Sequence, residues 1–162
     1  VGASSRFGKC IAIDYSQNRY HVHLFGRNES AINGILLNIQ SSGGAGSVIC
    51  ADIRNSQELA NAIQKILAKT PTLDVAINCA GVVRTDAVDE MLDDDFELMR
   101  HTNLTGIWHC MKHELKQMKL QKSGVLINIS ANISMHKIRP MMSEYGASKA
   151  ALAVLTQTAT LE

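Results

Sequence analysis

A tyrosine stands four residues before a lysine in the stretch Ser143-Glu144-Tyr145-Gly146-Ala147-Ser148-Lys149. If that stretch is helical, the two side chains share one face. An ammonium beside a phenol stabilises the phenolate and draws the tyrosine pKa towards neutrality. Such a tyrosine can give or take a proton at ordinary pH. Taken alone, the pair is better read as an incidental contact on a surface helix, because this spacing is easily met by chance. The elements around it decide which reading holds.

A second candidate lies at the other end of the chain. Gly2-Ala3-Ser4-Ser5-Arg6-Phe7-Gly8 is a loop rich in small residues that leads into a predicted helix at residues 9–15. Such a loop gathers backbone N–H groups and the positive end of a helix dipole, which suits a phosphate. An ordinary loop with an N-cap would look the same, and a lone match of this kind is weak.

The elements between these two stretches follow from apolar spacing. Residues 20–25 alternate and are rich in β-formers, and this predicted strand ends at Gly26-Arg27-Asn28. Ile32, Ile35, Leu36 and Ile39 predict a helix over 29–41. A strand over 47–51 is closed by Asp52. A helix over 56–69 carries Leu59, Ile63, Ile66 and Leu67, with Ser56 as its expected N-cap and Pro71 just beyond it. A strand over 73–78 runs into Cys79-Ala80-Gly81. A long helix over 94–119 carries a stripe of Leu104, Ile107, Trp108, Met111, Leu115 and Met118. A strand over 124–130, a loop with Pro140 and an alanine-rich helix from Ser143 complete the chain. Strands alternating with helices predict a parallel sheet covered on both faces. Ligands of such sheets bind beyond the carboxyl ends of the strands. Arg27, Asn28, Asp52, Asn78, Ser130 and the glycine loop all collect at that edge.

The bulk properties fit one soluble domain. Of 162 residues, 46% are hydrophobic and 19% charged, and the net charge is +1. No basic surface argues for nucleic acid or an anionic membrane, and no apolar run approaches a membrane span. Cys10, Cys50, Cys79 and Cys110 form no C-x-x-C pair, and no His spacing suggests a zinc site. They read as reduced core thiols of an intracellular, cytoplasmic protein.

Together these stretches resemble the classical short-chain dehydrogenase/reductases over essentially the whole chain. The likeness rests on Gly2-Ala3-Ser4-Ser5 through Gly8, Asn78-Cys79-Ala80-Gly81, His101-Thr102-Asn103-Leu104-Thr105-Gly106, Ile127-Asn128-Ile129-Ser130 and Tyr145-Gly146-Ala147-Ser148-Lys149. The resemblance implies a Rossmann-type doubly wound sheet and a nicotinamide cofactor. It implies an oxidoreductase that interconverts an alcohol and a carbonyl by hydride transfer, on a small-molecule substrate. Gly2 to Gly8 would wrap the pyrophosphate, with Ser4, the Ser5 hydroxyl, Arg6 and the Phe7 backbone among the contacts. Asp52 and Ile53 would meet the adenine, and Asn78, Ala80 and Gly81 the ribose side. Tyr145 would exchange the proton, Lys149 would hold the ribose hydroxyls, and Asn103 would support a relay behind Lys149. The position where family members that use NAD carry an acid is Gly26, followed by Arg27 and Asn28. A guanidinium there can pair with a 2′-phosphate, so NADP is the expected cofactor, with NAD as the alternative. The two late helices often form the family's subunit interface, which implies a homodimer or homotetramer.

The sequence also departs from the family pattern. Arg6 replaces a glycine that would let backbone approach the pyrophosphate. The family serine stands thirteen residues before the tyrosine, where this chain has Asn132. Ser130, followed by Ala131, is the nominee for its role, with Ser134 on the other side. Asn132 could itself donate to a carbonyl oxygen. The strand expected before the glycine loop is absent, as are the family's later strands and substrate loop. The chain therefore reads as part of a single dinucleotide-binding domain over residues 1–162, with a split sheet and unpaired backbone groups. On its own it is expected to be poorly stable and inactive. Arg6 and the displaced serine keep a second reading open, a non-catalytic nucleotide-binding or oligomer-scaffold member of the same fold.

Overall fold

Strands and helices alternate in the order that the apolar periodicity predicts. A computed structural model describes residues 1–133 and 137–162. The order is α1 (Arg6–Gln17), β1 (His21–Gly26), α2 (Glu29–Ser41), β2 (Ala45–Cys50), α3 (Ser56–Lys69), β3 (Val75–Asn78), α4 (Asp93–Met99), α5 (Ile107–Gln121), β4 (Val125–Asn128) and α6 (Ser143–Ala159). The predicted 94–119 helix is longer and not uniform: a π-helical stretch, Arg100–Gly106, joins α4 to α5. The cap of α3 also differs from expectation. Asn55, not Ser56, accepts the Gln57 and Glu58 N–H groups, and Ser56 is the first helical residue. An Asn carbonyl caps as well as a Ser hydroxyl, so adjacent candidates cannot be ranked by residue type.

Helices cover both faces of the strands. On one side Leu24 packs with Ala3, Ala12, Ile32, Ile35 and Ile39 of the loop, α1 and α2. On the other, Phe25 and Ile53 pack with Leu59 and Ile63 of α3, Ile107 and Met111 of α5, and Leu152 of α6. Leu24 and Phe25 are successive, so their side chains leave opposite faces of β1. Of the four cysteines only Cys110 is a buried core thiol; Cys10 and Cys50 are exposed and Cys79 is half-buried. Cys50 is exposed because it is the last residue of β2, beyond the strand's packed middle.

The sheet is divided, as expected. β1 pairs in parallel with β2, and β3 pairs in parallel with β4, but β1 and β3 are not bonded to each other. Val1 alone spans the gap. Its ammonium donates to the Ile77 carbonyl at 2.7 Å. Its carbonyl accepts from the Cys79 N–H at 3.0 Å, and the next N–H, of Gly2, donates to the Phe25 carbonyl at 2.9 Å. This is the hydrogen-bond pattern of a central parallel strand at its last residue. Behind Val1 lies a cavity of about 200 Å³ lined by Val22, Leu24, Val75, Ile77, Ile63 and Glu114, among others.

Glu114 is an unexpected member of that lining. It lies on the buried face of α5 at 5% exposure, one helical step from Met111 and Met118. Its Oε2 accepts from the Asn78 amide at 2.8 Å. Burial pushes its carboxyl pKa up, opposed in part by the Asn78 amide and the Val1 ammonium. A carboxyl whose folded pKa is raised contributes stability that is full below its unfolded value and is lost as pH rises through the folded one. The melting temperature should therefore fall as pH climbs above the ordinary carboxylate range. Glu114→Gln keeps an acceptor for Asn78 and should flatten that fall. Melting curves of both proteins between about pH 5 and pH 9 check this; equal slopes would assign the effect to other groups.

Candidate active site

The carboxyl ends of the strands carry the predicted residues. The glycine loop reaches this edge because Gly2 and Ala3 both donate to the Phe25 carbonyl at the end of β1. Gly2 has φ +77°, a conformation that favours glycine, and a Cβ there would stand 2.5 Å from the Ala80 nitrogen. Gly2 therefore lets the loop after β3 lie directly against the glycine loop. A Cβ on Gly8 would collide with the Gly2 carbonyl, so this glycine seats α1 on the loop. Ser5 caps α1, its hydroxyl accepting from the Gly8 N–H at 3.0 Å, and it also touches the Cys79 thiol at 3.4 Å. Arg6 is the first helical residue and is exposed, as are Ser4 and Phe7. The backbone thus tolerates Arg6 without the left-handed conformation that would demand glycine. The first-turn N–H groups of α1, which helix geometry leaves without internal partners, border this edge. Those of Arg6 and Phe7 suit a phosphate, while the Gly8 N–H is already taken by the Ser5 hydroxyl.

Tyr145 and Lys149 share a face of α6, as their spacing predicts. The Lys149 ammonium lies 6.0 Å from the centre of the Tyr145 ring. It is buried, and it donates to the Ile129 carbonyl, just past β4, at 2.8 Å. Burial pushes its pKa down, against a smaller opposing effect of Cys79. Gly81 lies next to this ammonium: a Cβ on it would stand 3.7 Å from Lys149 Nζ and 3.4 Å from Asn103 Oδ1. Asn103 is fully buried in the π-helical stretch. Its amide grips residue 82 twice, accepting from the Val82 N–H at 2.8 Å and donating to the Val82 carbonyl at 2.9 Å. It also donates to the Ser148 hydroxyl at 3.4 Å. The wider π turn is a frequent feature of functional sites. Here it carries the residue that ties the post-β3 loop to α6. A uniform helical stripe in the sequence does not reveal it.

Several nominees sit differently from expectation. The Asn78 side chain turns into the core. It is 1% exposed and donates inward to Glu114 and to the Asn128 carbonyl oxygen. Alternation along β3 sends Asn78 to the core and Ile77 to the other face. Ile53 is likewise buried, against the Gly106 backbone, so only its main chain is left for an adenine. The Asn28 side chain caps α2, its Oδ1 accepting from the Ala31 N–H at 2.9 Å. The Ser130 hydroxyl donates to the Lys149 carbonyl at 3.2 Å and so braces β4 against α6. Asn132 is exposed. Ser134 lies outside the described residues.

Further along this edge, Arg27 and Asp52 face each other at 3.9 Å across the ends of β1 and β2. Arg54, which the sequence reading passed over, holds Asp52 much more closely, at 2.6 Å. Its signal was an arginine two residues after an aspartate at a strand end, which is a short-range ion pair by geometry. Among the described residues no cluster of metal-ligating side chains occurs, and no helix is long and apolar enough to cross a membrane.

Comparison with known proteins places this geometry in a family. Residues 1–162 match the short chain dehydrogenase family over their whole length. The chain is 27% identical over 163 residues to the 3-oxoacyl-[acyl-carrier-protein] reductase FabG of Staphylococcus aureus, covering 100% of this chain and 66% of that reductase. It is 30% identical to a 3beta-hydroxysteroid dehydrogenase of Mediterraneibacter gnavus, covering 58% of that enzyme. Among solved structures, a metagenomic short-chain oxidoreductase in complex with NADP superposes with a TM-score of 0.91 at 25% identity, over 98% of this chain and 70% of that one. The chain thus spans slightly under two thirds of the FabG reductases it matches. The matched length, the divided parallel sheet and the Tyr145–Lys149 pair agree: this chain belongs to the short chain dehydrogenase family of oxidoreductases.

Proposed function

We propose that the protein interconverts a small-molecule alcohol and its carbonyl with NADP as the hydride carrier, and that Tyr145 exchanges the proton. The observation that carries this reading is the meeting of Tyr145, the buried Lys149 ammonium, Gly81 and Asn103 at one point of the strand edge. NADP when bound supplies or accepts the hydride. The first turn of α1 binds its pyrophosphate, and Arg27 pairs with its 2′-phosphate. Lys149 holds the nicotinamide ribose beside the Tyr145 ring. Tyr145 then donates a proton to the carbonyl oxygen, or takes one from the alcohol in reverse. Asn103 keeps residue 82 and α6 in register behind them. The relatives' names support a carbonyl/alcohol substrate, and the NADP complex of the metagenomic oxidoreductase supports the cofactor. NADPH oxidation by the whole protein across a panel of carbonyl compounds tests the reading.

The second reading, a member that binds nucleotide without turnover, is favoured by one observation. The Ser130 hydroxyl is engaged by the Lys149 carbonyl instead of standing free to hold a substrate oxygen. NADPH binding without turnover on any member of the panel would select it.

We also propose that α5 and α6 form a subunit interface. Trp108 is 44% exposed and Val154 50%. Trp108 borders a groove between the helices with Leu115, Leu155 and Ala159. Large apolar side chains along one groove mark an association surface. Light scattering of the whole protein is expected to give a dimer or tetramer, and Trp108→Glu to shift it towards monomer. A monomeric parent protein would overturn the proposal.

A further inference from the structure

Asp52 carries two guanidinium neighbours that hold it very unequally. Arg54 makes four hydrogen bonds to its carboxylate: from its backbone N–H to Oδ1 at 3.0 Å, from Nε to Oδ1 at 3.1 Å and Oδ2 at 2.9 Å, and from Nη2 to Oδ2 at 2.6 Å. Arg27 reaches only 3.9 Å, at the limit of an ion pair, and its side chain is 53% exposed. Partial burial works to raise the Asp52 pKa, but the hydrogen bonds and charge of Arg54, with a smaller effect of Arg27, outweigh it and hold the carboxyl below its ordinary range. The turn around this pair is built tightly. The Asp52 N–H donates to Glu58 Oε2 at 3.1 Å, and the Asn55 amide donates to Glu58 Oε1 at 3.0 Å. The four charged groups Arg27, Arg54, Asp52 and Glu58 sum to zero.

We propose that Arg54 is a positioning residue that sets cofactor preference by occupying Asp52, so that Arg27 stays free for the 2′-phosphate of NADP. This rests on the NADP reading given above. Without Arg54 the same ledge carries a net charge of −1. Asp52 then offers both oxygens to the exposed Arg27, which is the only other guanidinium in reach of it among the described residues. A carboxylate paired to Arg27 competes directly with a phosphate for the same planar donors. It also stands as a like charge beside that phosphate. NAD has no 2′-phosphate and should be indifferent to the exchange.

The experiment is the dissociation constant of NADPH and of NADH for the whole protein, read by equilibrium titration at fixed ionic strength. Arg54→Met should weaken NADPH on the order of tenfold and leave NADH within about twofold, since the lost term is a single partly solvated charge interaction. Arg27→Ala should weaken NADPH by a similar or larger factor. The double variant Asp52→Asn/Arg54→Met removes the competing carboxylate and should restore most of the NADPH-over-NADH preference, since any change in an adenine contact of Asp52 falls on both nucleotides alike. Equal weakening of both nucleotides by Arg54→Met would make Arg54 a prop for the turn and overturn the proposal. So would failure of the double variant to restore that preference. A parent protein that binds NADH as tightly as NADPH would overturn the NADP reading itself. That result is visible before any variant is made.

Discussion

Tyr145→Phe is expected to abolish turnover while leaving NADPH binding within about twofold, a loss of roughly 10²–10⁴ in rate for removal of a general acid–base group. The substitution deletes one oxygen. The ring keeps its place on α6, where Tyr145 is only half-buried and where the Ser148 hydroxyl bonds its carbonyl, not its side chain. The Lys149 ammonium keeps its bond to the Ile129 carbonyl, so the group proposed to hold the ribose stays in place. Lys149→Met should behave differently. It removes the ammonium proposed to hold the ribose, and should therefore weaken NADPH binding as well as turnover. Single-turnover rates with saturating NADPH separate the two variants. Full activity in Tyr145→Phe would remove this tyrosine from the chemistry, and the short chain dehydrogenase assignment would then stand on fold and cofactor alone.

Placing a short apolar strand ahead of Val1 should raise the melting temperature of the 162-residue chain substantially. The gap between β1 and β3 has bonding groups on both sides, and Val1 already makes the ladder bonds of its last position. Five added residues of Val, Ile, Ala and Leu would run back along Ile77, Ala76 and Val75 on one side and Leu24 and Val22 on the other. They would occupy the open gap in which that cavity lies. Each buried aliphatic side chain gains roughly 1.5–3 kcal/mol, against roughly 1–2 kcal/mol per residue for ordering the backbone. A net of about 2–5 kcal/mol corresponds to a rise on the order of 5–15 °C for a chain of this size. The same extension with a central proline should give little, because proline cannot donate to the ladder and clashes in a central strand. A proline extension that stabilises equally would show that the gap does not accept a strand.

Element order and the collection of Arg27, Asp52 and the glycine loop at one edge were legible in the sequence. Apolar spacing is a local property, and parallel strands linked by helices must end at the same edge. The Tyr145–Lys149 face was legible for the same reason, because four residues in a helix is one turn whatever surrounds it. The helix caps were half legible. Ser56 and Asn55 are both capable caps, and only the path of the turn after Asp52 chose Asn55.

What the tertiary structure alone decided concerns groups whose partners are remote along the chain. Asn78 turns inward because Glu114 of α5 and Asn128 of β4 await it, 36 and 50 residues away. Ser130 braces Lys149 across 19 residues, and the π turn at Asn103 is set by its grip on Val82, 21 residues back. The sequence by itself determined which residues could do the chemistry and on which edge they gather, because periodicity and connectivity act over a few residues. Which of those side chains turn into the core was decided only when distant elements packed, because the partners of Asn78, Asn103 and Ser130 lie far along the chain.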